Sequence, residues 1–134
     1  MTLLECGNVM KRRSIQQAAT SRQEQILNAF LELLKENCIK EHKVEFYASK
    51  LFVTPQYLSL VLKNTSGKTA YQWIVEGIIT ESKILLKDAS ATIQQISENL
   101  CFPDSSSFSK FFKKQTGLSP FKYRNTNIET QLLF

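Results

Sequence analysis

FVTPQYLSLVLKNTSGKT, Phe52 to Thr69, decides the fold of this 134-residue chain, because its grammar returns about fifty residues later in CFPDSSSFSKFFKKQTGLS, Cys101 to Ser119. In the first stretch Thr54 is placed to cap a helix whose first residue is Pro55, where a missing N–H costs nothing, and Gly67 supplies a left-handed stop after Ser66. In the second, Asp104 caps SSSFSKFFKKQT and Gly117 stops it. Each helix is preceded by a shorter one: VEFYASKL, Val44 to Leu51, and IQQISENL, capped by Thr92.

The two copies align residue by residue. Val44, Tyr47 and Ala48 correspond to Ile93, Ile96 and Ser97. After one extra residue in the second turn, Leu58, Leu62, Lys63 and Gly67 correspond to Phe108, Phe112, Lys113 and Gly117, and Tyr71 and Trp73 recur as Phe121 and Tyr123. A short helix, a turn and a capped second helix with buried residues at i and i+4 outline a helix-turn-helix unit, in which the first helix braces the second for entry into a major groove. Ordinary helical hairpins share that outline. Duplication favours a reader of two neighbouring groove segments.

Outward from the repeat, the period stays helical and no sustained alternation marks a strand. In SRQEQILNAFLELLKENC, Ile26, Leu27, Phe30, Leu33, Leu34 and Cys38 form one stripe, with Ser21 and Glu24 set as a capping box for a first helix. Thr69 caps a long helix to about Asp88, with Tyr71, Ile74, Val75, Ile78, Ser82, Leu85 and Leu86 on one face. Its roughly 20 residues span about 30 Å, close to the ~34 Å turn of B-DNA. Ser119 and Pro120 open a last short helix, FKYR. The expected fold is all-α: seven helices, two helix-turn-helix subdomains and a long joining helix. Residues 1–20, with a basic triplet at Lys11 to Arg13, read as a linker, and 21–134 as the domain.

Charge and composition agree with this reading. Seventeen Lys and Arg against twelve Asp and Glu give a net charge of +5 and favour an anionic partner. Cys6, Cys38 and Cys101 are too few and too scattered for a disulfide framework or a zinc site, so a reduced, cytoplasmic protein without metal or cofactor is expected. No apolar run is long enough for a membrane span, and the basic cluster follows the apolar N-terminal residues, the reverse of a secretory signal. His42 has no carboxylate or thiol placed by a motif to work with it, and the scattered glycines form no phosphate loop, so no enzyme is expected.

VEFYASKLFVTPQYLSLVLKNTSGKTAYQWI and TIQQISENLCFPDSSSFSKFFKKQTGLSPFKYR resemble the two halves of the AraC/XylS family of bacterial transcription regulators, the second almost from end to end; the resemblance covers roughly Arg22 to Arg124. It implies sequence-specific binding of double-stranded DNA. It also implies an effector-sensing domain ahead of this module, with Met1 to about Arg13 as the end of such a domain or of an interdomain helix, and RNA polymerase is a further expected partner. Cys101 stands where the family usually has glycine, and Leu60 where members often carry Arg.

Core-facing positions fix the outward ones. Gln56, Tyr57, Ser59, Leu60 and Lys63 in the first recognition helix, and Ser105, Ser106, Ser109 and Lys110 in the second, are the expected base readers. Gln56 suits adenine, Leu60 a thymine methyl, and Lys110 guanine or phosphate. Lys68, Thr69, Lys113, Lys114, Ser119, Lys122 and Arg124 are expected on phosphates, with the helix N-termini at Thr69 and Ser119 contributing free N–H groups. The aromatics Phe46, Tyr47, Phe108, Phe111, Phe112, Phe121 and Tyr123 are expected in the core, against a single-stranded RNA platform. A helical adaptor for an acidic protein partner is the alternative.

Overall fold

The computed structural model describes the backbone from Gly7 to Leu133 and the side chains of residues 21–126. Among these residues there are seven helices and no strand: α1 (Gly7–Asn37), α2 (Val44–Lys50), α3 (Pro55–Ser66), α4 (Ala70–Leu86), α5 (Ile93–Asn99), α6 (Ser105–Thr116) and α7 (Pro120–Leu133). They divide into two units. The first holds α1 to Glu36 with α2 and α3, and the second holds the loop Asn37–Lys43 and the chain from Tyr71 onward.

In the first unit Phe30 and Leu34 of α1 are buried, as are Tyr47 and Ala48 of α2 and Leu58, Val61 and Leu62 of α3. Phe30 meets Tyr47 edge to face, with ring centroids 5.4 Å apart, a geometry the aromatic quadrupoles favour. The second unit is built on Leu86, Ile96, Leu100, Phe108 and Phe112, with Ile79, Phe102 and Tyr123 packed around them. Phe102 lies 5.4 Å from Phe108 and 5.3 Å from Phe111, while Phe112 lies 5.5 Å from Tyr123. His42 closes the row: its ring sits 5.0 Å from Phe102 and its Nε2 is 2.8 Å from the Ile39 carbonyl. That role is structural.

The turns inside the two pairs are built alike. After α2, the N–H of Val53 reaches back to the Ala48 carbonyl at 3.0 Å and that of Phe52 to Ser49 at 3.2 Å. After α5, Phe102 donates to Ser97 at 3.0 Å and Cys101 to Glu98 at 3.0 Å. Both are Schellman turns, whose middle residue must be left-handed and is usually glycine. Here those residues are Phe52 and Cys101, at φ 58° and 62°. The missing glycine therefore leaves the turn unchanged, and the strain, about 1 kcal/mol or more at each site, is carried by L-residues.

Four sequence expectations need correction. Ser21 is not an N-cap, because α1 runs unbroken from Gly7 to Asn37; the polar SIQQAATS segment contains no Gly or Pro to stop a helix, so the helix continues through it. The part of the linker reading that falls on residues 1–6, and the side chains of Lys11 to Arg13, lie outside the described residues. The long helix ends at Leu86, making it about 26 Å long. The last helix extends to Leu133 instead of stopping after FKYR. Finally, Phe121 is not core: it is 65% exposed.

Candidate nucleic-acid interface

α3 begins where the Thr54 hydroxyl accepts the Tyr57 N–H at 3.1 Å, and it ends at Gly67, at φ 82°, whose N–H meets the Lys63 carbonyl. Leu58, Val61 and Leu62 are wholly buried, so the opposite face is fixed. It presents Gln56, Leu60, Lys63 and Asn64 as exposed residues, flanked by exposed Tyr57 and half-buried Ser59. Gln56, Leu60 and Asn64 follow one another at i+4 and form a single stripe. Asn64 was not among the expected readers, although its spacing from Leu60 points to it.

α6 repeats this register. Asp104 accepts the Ser107 N–H at 2.7 Å, and Gly117, at φ 86°, closes the helix on Lys113. The hydrogen bond from the Ser107 backbone, joined by the Ser107 side chain, holds the Asp104 carboxyl below its ordinary range. Phe108 and Phe112 are fully buried. Phe111 is half-buried, and Ser106, Lys110, Lys113 and Lys114 are exposed beside half-buried Ser105 and Ser109. The outward stripe is therefore Ser106, Lys110 and Lys114, each fifty positions after its α3 counterpart.

The segments after the two helices also correspond. The Ser66 hydroxyl donates to the Leu62 carbonyl at 2.6 Å, and the Thr116 hydroxyl to Phe112 at 2.8 Å. Both hydroxyls thus bond back to the carbonyl four residues earlier in the last turn of their helix. Ser119 accepts the Lys122 N–H at 3.2 Å and so opens α7 as its cap. Lys68, Thr69 and Ser119 are half-buried and Lys122 is exposed. From Ser105 to Arg124 there are five cationic side chains and no acidic one, which gives this segment a positive field suited to a polyanion.

Arg124 makes contacts within the fold that the sequence did not indicate. Its Nε donates to the Leu86 carbonyl at 3.0 Å and its Nη2 to the Asp88 carbonyl at 3.2 Å. The guanidinium thus closes the C-terminal end of α4, where open carbonyls and the negative end of the helix dipole favour a cation. Among the described residues no group of three or more His, Cys, Asp or Glu could hold a metal, and no helix is long and apolar enough to cross a membrane.

Two capped helix pairs, each with an outward second helix, define a double helix-turn-helix fold. Residues 47–126 match the family model described as a helix-turn-helix domain. The chain belongs to this family, in its AraC-type branch of DNA-binding transcription regulators. The uncharacterized HTH-type transcriptional regulator YobQ of Bacillus subtilis is 38% identical over 72 residues, which cover 54% of this chain and 30% of that protein. The C-terminal domain of AraT, a response regulator from Geobacillus stearothermophilus, is 27% identical with a TM-score of 0.65, over 75% of this chain and 84% of that one. The DNA-binding domain of the global transcriptional factor AdpA, solved with a target DNA, has the same fold: TM-score 0.65, 18% identity, 75% of this chain and 90% of that one. The chain spans about 30% of the length of YobQ.

Proposed function

We propose that this chain is the DNA-binding module of a bacterial transcription regulator, with α3 and α6 each presenting its outward stripe to a major-groove segment of the same duplex. Gln56, Tyr57, Ser59, Leu60, Lys63 and Asn64 read bases from α3, and Ser105, Ser106, Ser109 and Lys110 from α6. Lys68, Thr69, Lys113, Lys114, Ser119 and Lys122 hold phosphates and set the register without reading sequence. A cytoplasmic location, an effector-sensing domain elsewhere in the protein and contact with RNA polymerase belong to the same reading.

The observation that carries it is the shared register of α3 and α6: buried and outward positions recur at a constant spacing, yet the outward side chains differ between copies. On that face α3 carries Gln56, Lys63 and Asn64 and α6 carries Lys110, Lys113 and Lys114, amides and cations of the kind that pair with base edges and phosphates. Titration of duplex DNA with salt tests the reading. Four lysines on phosphates, Lys68, Lys113, Lys114 and Lys122, give a slope of log affinity against log salt of about −3.6, and Gln56→Ala should relax preference at one or two base pairs by roughly 1–3 kcal/mol. Affinity flat in salt would instead indicate a protein-docking module.

A further inference from the structure

Leu60 is 57% exposed in the middle of the outward stripe of α3, while Leu58, Val61 and Leu62 beside it are completely buried and supply the packing of that helix. The core does not call for an apolar residue at position 60. Its counterpart in α6 is the exposed Lys110, so the position points outward in both copies and carries unlike chemistry. On either side of Leu60 along the stripe stand two amides, Gln56 and Asn64, both exposed. Amides pair with the N6 and N7 edge of adenine, and the only apolar group a standard base offers in the major groove is the C5-methyl of thymine.

Resting on the assignment of α3 as a recognition helix, we propose that Leu60 is a specificity-determining residue that reads the C5-methyl group of a pyrimidine, thymine in unmodified DNA, within an A·T-rich segment also read by Gln56 and Asn64. The second copy, with Lys110 at the same position, reads guanine. The two halves of the site then differ in composition. Discrimination in the first half resides in a methyl group, so 5-methylcytosine should substitute for thymine where uracil does not.

Duplexes enriched from a random pool by this protein supply the probes, with each thymine of the enriched site replaced in turn by deoxyuridine. At one position uracil should weaken wild-type binding about fourfold, the effect of burying one methyl-sized group, and 5-methylcytosine should bind better than cytosine. Leu60→Ala should bind the thymine and uracil duplexes equally, and Leu60→Lys should move the preferred base at that position to guanine. If every uracil duplex binds the wild type as tightly as thymine while enriched sites are still preferred over scrambled ones, and Gln56→Ala still changes the bases selected, the methyl-reading role of Leu60 is wrong and the recognition-helix assignment of α3 stands. If enriched and scrambled duplexes bind alike, the recognition-helix assignment fails as well.

Discussion

The Nε of Arg124 donates to the carbonyl of Leu86, thirty-eight residues earlier, at 3.0 Å. With the second bond to Asp88, one side chain ties the start of α7 to the end of α4. Arg124→Met should therefore lower stability by about 1 kcal/mol, the scale of a partly solvated charged hydrogen bond, measured as a shift in urea midpoint. DNA affinity should fall for all sequences alike with the salt slope unchanged. A slope smaller by about 0.9 would mean that Arg124 holds a phosphate.

Cys101 is exposed and left-handed, with φ 62°. Cys101→Gly should stabilise the fold by roughly 0.5 to 1 kcal/mol, the relief of left-handed strain less the added entropy of an unfolded glycine. Cys101→Val should destabilise it, because a branched Cβ tolerates that conformation least. Thermal melts of the three proteins compare these directly.

The carboxyl of Asp104 is held low chiefly by the Ser107 N–H bond. Since its folded pKa lies below its unfolded one, its contribution to stability is complete above about pH 4 and is lost as pH falls through the lowered folded value. Asp104→Asn keeps a capping oxygen but does not ionise. The difference in stability between wild type and variant should therefore be constant near neutrality and change only in acid, followed by urea unfolding from pH 7 to pH 2.

Lys113 and its counterpart Lys63 are both exposed near the ends of their helices. Lys113→Ala should weaken binding to every duplex and reduce the salt slope by about 0.9, whereas Lys63→Ala should also alter the bases selected. Filter binding at four salt concentrations, with one selection for each variant, separates the two roles.

What the sequence made legible was governed by short-range rules. Thr54, Thr92 and Asp104 cap as their spacing requires, and Gly67 and Gly117 take the left-handed stops. The outward positions of α3 and α6 followed from the buried ones, because helical period alone relates them. Phe121 is exposed against expectation because period places a residue on a stripe but not on the part of it that finds a partner; it sits in the first turn of α7. The Arg124 contacts were illegible for a different reason: no local pattern links a side chain to carbonyls thirty-six and thirty-eight residues away. Ser21 failed as a boundary because a capping pattern is only a start where something has ended the helix before it.

The unlike outer stripes of α3 and α6 have a consequence for orientation. A pair of identical readers related by two-fold symmetry reads the same from either end, so its site has no left or right. Gln56, Leu60 and Asn64 in one copy and Ser106, Lys110 and Lys114 in the other are not interchangeable. If α3 and α6 read one duplex as proposed, turning the protein end for end would set leucine against the bases that otherwise face lysine. A single chain bound in the proposed way would act as an arrow on the DNA, distinguishing upstream from downstream.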